Sequence, residues 1–461
     1  MRQRLASLDP RLLLAAILLV GAVLRLETIG GHLSNDEGYS YLVGSAPSAS
    51  AFLHRLAAYE NTPPLFYLLL TPFSLGHAAW LRAPAAIPGA LIPLILYLAL
   101  RRPLGMRTAL LGAAIVAVMP YHVSYSDYSR GFMLEGLGYM LALWAILRLG
   151  EPGASSRWWL LYLAGGVLAL YSEYFAGIFL AAVTVAAVAY RRQHRLRTAA
   201  LGFLPLASLL PWITQIERGQ DAVHHTKVFA AFAAPSLSAL RELSVRLVLG
   251  EHGAGSSTGI RWLEFLAVIA VLGAVAVVLA RMTAADPRSD SSRAVLVIGT
   301  TGVLVLVGHA LVAIVGTEVF NQRYLTVLIP LGAVLTATAV TRQRVRWLQG
   351  AAVAAVALAG LAVFIQRYQR EYEPSLTPIR ALAAAEHPQT VLTNSAVVTY
   401  YLRALHPVLD RPFGLGPGLE GSCATPCVVV DDSRVPGGIR PAPGPSQTIG
   451  FFTIRRAARS G

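Results

Sequence analysis

RLLLAAILLVGAVLRLETIGGHLSNDEGY, residues 11–39, is the stretch whose reading decides the fold. Residues 12–29 are apolar apart from Arg25, Glu27 and Thr28, and approach the ~20 residues needed to cross hydrocarbon. No small-residue cleavage pattern follows, and further apolar runs do, so the segment reads as a retained membrane helix rather than a signal peptide. Its far side turns polar and ends on two adjacent carboxylates, Asp36-Glu37.

Working outward, apolar runs recur as far as Ile365. The chain has 461 residues, 55% hydrophobic and 13% charged, whereas a soluble domain carries about 25% charged residues. The net charge of +14 would suggest nucleic acid in a soluble protein. Here much of it sits in short loops between apolar runs, so no nucleic-acid partner is expected. The basic segments are Arg101-Arg102 with Arg107, Arg191–Arg197, Arg281 with Arg288 and Arg293, and Arg342–Arg346. The positive-inside rule makes these cytoplasmic, and Arg2, Arg4 and Arg11 place the N-terminus on the same side. That parity holds only if Pro63–Ala79 is a re-entrant or juxtamembrane segment. Spans then fall near 12–29, 84–100, 108–122, 132–149, 158–172, 174–190, 198–216, 262–280, 294–315, 324–340 and 347–365, about eleven in all. The outer loops are longer and hold most of the acidic residues. The expected class is an all-α polytopic membrane protein with its chemistry on the outer face.

The tail after Gln366 differs in kind. Thr377–Glu386 has helical spacing, while Thr390–Thr393 and Val428–Val430 read as short strands, with Asp431-Asp432 after the second. The expected organisation is a transmembrane domain over 1–366 and a small outer α/β appendage over 367–461. Cys423 and Cys427 are the only cysteines, a spacing compatible with a disulfide in an oxidising compartment.

Three outer constellations can carry chemistry. The first is Ser34-Asn35-Asp36-Glu37-Gly38-Tyr39. One carboxylate can take a proton from an acceptor hydroxyl and the other can orient it or help hold a divalent cation; equally, the segment can be a polar turn capping a helix. The second is Asn61-Thr62-Pro63-Pro64-Leu65, whose double proline fixes an extended entry to an apolar segment. The third runs from Tyr121 and His122 through Asp127, Tyr128 and Arg130 to Glu135, the last inside the next span, where a carboxylate is expensive. Arg130 suits a phosphate because its planar fork donates two bonds at once; the alternative is an aromatic interfacial belt with a local Asp–Arg pair. Glu173 in a tight outer turn and Arg323-Tyr324 at the outer start of a late span are weaker candidates. Arg25 and Glu27 are expected to pair or snorkel, and His224-His225 to be unremarkable loop residues.

Taken in order, the three motifs resemble the GT-C superfamily of membrane glycosyltransferases: protein O-mannosyltransferases, lipid A aminoarabinose transferases and their bacterial relatives. The likeness rests on Asp36-Glu37 after the first span, Thr62-Pro63-Pro64-Leu65, and Arg130-Gly131-Phe132-Met133-Leu134 in the second outer loop, and it covers residues 1–150. Thr62 stands where many relatives have His, and Glu135 where mannosyltransferases tend to have Asp. The resemblance implies a bacterial cytoplasmic-membrane enzyme with a polyprenyl-phosphate-linked sugar donor, catalysis at the outer face, and a cell-envelope glycan, lipid or protein acceptor. It implies Asp36 as the base, Glu37 assisting, and inversion at the anomeric carbon. Arg130, with Arg323 and Tyr324, is implied to hold the carrier phosphate, and His122, Asp127, Tyr128, Glu135 and Glu173 to line the donor site. A divalent metal, if used, is expected on Asp36 and Glu37. The competing class is a transporter or flippase of a lipid-linked glycan. Such proteins carry mid-membrane charges and internal repeats; here the charges cluster at outer span ends and no strong repeat is visible.

Overall fold

The computed structural model describes residues 9–27, 29–31, 33–60, 62–74, 76–190, 195–214, 236–249, 258–317, 321–343, 346–368, 390–393, 395–401, 408–409, 427–432, 446–449 and 452–456. The expected helix Thr377–Glu386, His224-His225 and Cys423 lie outside them. The helices, in chain order, begin with α1 (Pro10–Leu26), α2 (Asn35–Gly44), α3 (Ala49–Tyr59), α4 (Leu65–Leu70), α5 (Ala78–Leu100) and α6 (Met106–Val118). Then come α7 (Pro120–Ser126), α8 (Phe132–Leu149), α9 (Arg157–Leu170), α10 (Ala176–Tyr190), α11 (Arg195–Ala207) and α12 (Leu237–Leu249). The last are α13 (Thr258–Ala285), α14 (Asp290–Val312), α15 (Leu328–Arg342), α16 (Arg346–Tyr368) and α17 (Ala396–Tyr401).

The chain divides into two compact units. The first takes residues 1–29, 82–213 and 229–369. In it α8 packs on α9, α10 on α14, and α6 on α15. Among the described residues, α5, α8, 261–285 within α13, and 290–315 are long and apolar enough to cross a membrane. Shorter apolar helices lie at Arg157–Leu170, Ala176–Tyr190, Leu328–Arg342 and Gln349–Ala362.

Proline punctuates this unit in ways that shift several expected spans. The run expected as one span over 108–122 is two helices, α6 and α7, bent by 62°. Met119 is extended at φ −62°, ψ 122°, because the ring of Pro120 disfavours helical backbone in the residue before it. Arg323-Tyr324, expected to open the span 324–340, sit instead on a short 3₁₀ turn, Gln322–Leu325. Asn321 caps that turn by accepting a bond from the Arg323 N–H at 3.0 Å, and the α-helix starts at Leu328. Within the run over 198–216, α11 ends at Ala207 and a 3₁₀ turn follows at Leu210–Trp212.

The second unit takes residues 30–81, 214–228 and 370–461. Pro63–Ala79 does not form one long helix: α4 has 6 residues and runs into a 3₁₀ turn containing Pro72, a rise of about 9 Å, far below the ~30 Å of hydrocarbon. Strands β1 (Thr390–Thr393), β2 (Val408–Leu409), β3 (Cys427–Asp432), β4 (Ser446–Ile449) and β5 (Phe452–Arg456) form a sheet in the order β2-β1-β3-β5-β4. β1 is parallel to both β2 and β3, with Leu392 opposite Val408 and Val429. The link from β1 to β2 passes through α17, the crossover that parallel neighbours require. β3, β5 and β4 are antiparallel. Asp431-Asp432, expected after the second strand, are its last two residues, opposite Thr453 and Phe452.

Candidate functional site

In the second unit, Asp36 and Glu37 occupy the first turn of α2 and have different surroundings. Ser34 is the N-cap: its hydroxyl accepts from the Glu37 N–H at 3.3 Å, and the Glu37 carboxylate accepts from the Ser34 N–H at 2.8 Å. This reciprocal box satisfies two of the amides that a helix start leaves without partners. Glu37 is 1% exposed and serves the cap, whereas Asp36 beside it is half-buried. A proton acceptor must be reachable by the hydroxyl it serves, and of the pair that describes Asp36. The cap bond from Ser34 falls on one Glu37 oxygen, Oε2. Among the described residues no three His, Cys, Asp or Glu side chains come together as a metal site would need.

Asn35, between cap and carboxylates, had no assigned role in the sequence. Its side-chain oxygen accepts bonds from the Ser395 hydroxyl at 3.0 Å and the Val397 N–H at 3.2 Å. Tyr41 and Tyr400 meet edge to face at 5.2 Å between centroids, and the Leu33 N–H donates to the Tyr401 hydroxyl at 2.9 Å. α17 thus lies directly on α2. A Cβ on Gly38 would overlap the backbone of Ala396 and Val397, so the glycine is required by that close approach. In the next motif, Thr62 donates to the Tyr67 hydroxyl at 3.0 Å, which holds the Pro63-Pro64 turn against α4.

In the first unit, rings join the segments that hold the other candidates. Tyr121 and Tyr125 of α7 lie 4.5 Å apart, Tyr125 meets Phe132 of α8 at 5.3 Å, and Phe132 meets Tyr324 at 6.0 Å. Tyr324 meets Phe175 at 4.5 Å, and Phe175 stacks on His309 of α14 at 5.6 Å. Tyr128 stacks on Phe132 at 6.5 Å. Of the expected site residues, these contacts join Tyr128 and Tyr324; His122 and Asp127 are their chain neighbours on and after α7, and Arg130 and Arg323 are half-buried.

Several polar groups here are deeply buried. Glu135 is 0% exposed and accepts a bond from the Tyr139 hydroxyl one turn on. Glu173 lies buried in the turn between α9 and α10. Glu135 Oε2, His122 Nε2, His309 Nε2 and Thr326 Oγ1 are buried with no hydrogen-bond partner among the described residues. Leaving such a group unmet costs about 1–3 kcal/mol, and native proteins leave few.

Helix α12 supplies an element the sequence did not flag. It touches α7 and the Gln322–Leu325 turn. Arg241 on it lies 4.9 Å over the Trp262 ring of α13. Glu242 is bonded by Arg246 at 2.8 Å and by Arg261 at 3.1 Å. Burial alone raises the Glu242 carboxyl, but the Arg246 bond and the charges of Arg246, Arg261 and Arg241 outweigh it and hold the group below its ordinary value.

Comparison with known proteins follows the same lines. Residues 61–214 match the dolichyl-phosphate-mannose-protein mannosyltransferase family, a stretch that contains the Pro63-Pro64 and Arg130 motifs and begins after Asp36-Glu37. None of the curated proteins matches the sequence. The chain is similar to the crystal structure of ArnT from Cupriavidus metallidurans in the apo state, with a TM-score of 0.68 and 14% identity over 97% of this chain and 98% of that one. It is similar to ArnT bound to undecaprenyl phosphate, with a TM-score of 0.59, 14% identity and the same coverage. It is similar to the oligosaccharyltransferase AglB from Archaeoglobus fulgidus in complex with an inhibitory peptide and a dolichol-phosphate, with a TM-score of 0.54 and 14% identity over 92% of this chain and 69% of that one. The chain therefore has the fold of the GT-C glycosyltransferase superfamily, in an ArnT-like form.

Proposed function

We propose that this chain is a multi-pass membrane glycosyltransferase that takes a sugar from a polyprenyl-phosphate carrier and transfers it, with inversion, to an acceptor hydroxyl at the outer face of a bacterial cytoplasmic membrane. The observation that supports this most is a GT-C fold extending over 97% of the chain and shared with proteins that hold undecaprenyl phosphate or dolichol-phosphate. The sidedness follows the basic loops, with about eleven crossings over 1–366 and the segment 367–461 outside.

The chemistry needs little covalent help from the protein. The acceptor oxygen forms a bond to the anomeric carbon as the carbon–oxygen bond to phosphate breaks, and the phosphate leaves with the electron pair. Asp36 takes the hydroxyl proton. Arg130, with Arg323 and Tyr324, stabilises the charge that gathers on the phosphate, as fixed donors do best. His122, Asp127, Tyr128, Glu135 and Glu173 line the donor's place. Glu37 assists by fixing the first turn of α2, and no step is routed through a metal.

The test is sugar transfer from a polyprenyl-phosphate donor in membranes. An Asp36→Asn chain that folds normally is expected to lose transfer. Full activity in that variant would remove Asp36 from the role of base, and an unchanged envelope glycan after deletion in a strain without a paralogue would remove the enzyme assignment.

A further inference from the structure

Arg25 neither snorkels nor reaches water: it is 1% exposed, within the last turn of α1. Its Nη1 donates to the carbonyls of Gly21 at 2.7 Å and Ala117 at 2.9 Å. Its Nε donates to the Ser126 hydroxyl at 3.0 Å, and Ser126 in turn donates to the His122 carbonyl at 2.7 Å. Its Nη2 lies 2.7 Å from His122 Nδ1. Gly89 of α5 leaves room for this arrangement, since a Cβ there would overlap the Ser126 side chain.

The last contact fixes a proton. A guanidinium is always charged and has only donors. His122 Nδ1 must therefore be the acceptor, and the ring's proton is on Nε2. That Nε2–H is buried and has no hydrogen-bond partner among the described residues. It is a donor held in one tautomer, beside a buried positive charge, on the short helix that follows the 62° bend. A donor in that field favours an acceptor-only, negatively charged oxygen over a hydroxyl, which also needs somewhere to donate.

We propose that Arg25 is a positioning residue that locks His122 as an Nε2–H donor, and that His122 gives this bond to a phosphate oxygen of the lipid carrier. The identity of the ligand rests on the proposed function; the locked tautomer does not.

Two substitutions separate the two nitrogens of the ring. His122→Asn keeps an oxygen near the Nδ1 position, where Arg25 donates, but loses the donor at Nε2. His122→Gln keeps an N–H near Nε2 but no longer serves Arg25 as before. A purely structural histidine predicts that Asn is the better replacement. The proposal predicts that Asn keeps thermal stability close to that of the unsubstituted chain while its affinity for polyprenyl phosphate falls at least ~10-fold, and that Gln, though less stable, binds more tightly than Asn. The reverse order overturns it.

Nitrogen-labelled histidine in the full chain in lipid nanodiscs supplies a readout independent of folding in the variants. The expected His122 signature is a bare Nδ1 and a protonated Nε2, and added polyprenyl phosphate shifts the Nε2–H resonance. A protonated Nδ1, or an Nε2–H indifferent to polyprenyl phosphate at saturation, overturns the proposal. If the signature and the shift are found but no sugar transfer is, the proposed function fails and this inference stands. If transfer is found while His122→Asn binds like the unsubstituted chain, the reverse holds.

Discussion

Asp36 and Glu37 are neighbours in sequence with separate tasks. The Glu37 carboxylate closes the capping box with Ser34, a bond that an amide oxygen can also accept. Glu37→Gln is therefore expected to leave transfer within a few-fold of normal, whereas Asp36→Asn lowers it by about 100- to 10,000-fold, the usual worth of a general base. Parallel assays of the two variants check this, and equal losses would mean that the pair acts as a unit. Ser34→Ala removes the cap and is expected to cost ~1 kcal/mol of stability, read by thermal unfolding, with the chemistry intact. The division of labour was half legible in the sequence. Ser34 stands three residues before Glu37, which is the pattern of a capping box, but a carboxylate pair draws attention to chemistry first. Arg25 was not legible at all. Its partners, Ala117, His122 and Ser126, lie 92 to 101 residues away, and nothing near it in the chain shows that a helix-end arginine will turn inward.

At the scale of elements, α2 is placed by tertiary contact more than by its own sequence. Gly38 admits α17, so Gly38→Ala is expected to loosen that contact, with faster hydrogen exchange in both helices and reduced transfer, although alanine favours helix more than glycine does. α12 is placed by charge. The Glu242 carboxyl is held below its unfolded value, so the stability it lends is present above that value and is lost as pH falls through the lowered one. Hydrogen exchange compared between about pH 7 and pH 3 is expected to show α12 losing protection at the acid end, and Glu242→Gln is expected to remove that pH dependence. The apolar runs and strand β1 were legible because composition and length report them directly. The break between α6 and α7 was present as Pro120 but was read through, since a hydropathy run does not register one missing N–H. α17 stayed hidden because its 6 residues, AVVTYY, are β-branched and aromatic and favour helix only in the company of α2.

At the scale of the molecule, the general class was legible from composition and from the order of three motifs, while the partnership of residues 30–81 with the last part of the chain was not. That partnership makes a prediction. Ending the chain before Thr390 removes the partners of Asn35, Leu33 and Tyr41. The region around Asp36 is then expected to become sensitive to limited proteolysis, and transfer to be lost, while detergent-extracted protein retains its helical content by circular dichroism. Retained transfer in the shortened chain would show that α17 is dispensable. The same contacts also have a consequence in time. Asn35 and Ser395 are 360 residues apart, and at about 5–20 residues per second a ribosome needs roughly 20 to 70 seconds to travel between them. Throughout that interval the nascent chain carries its carboxylate on an unfinished support, so an incomplete copy inserted in the membrane holds the first motif without a working enzyme. Any activity that depends on this support then begins only late in synthesis.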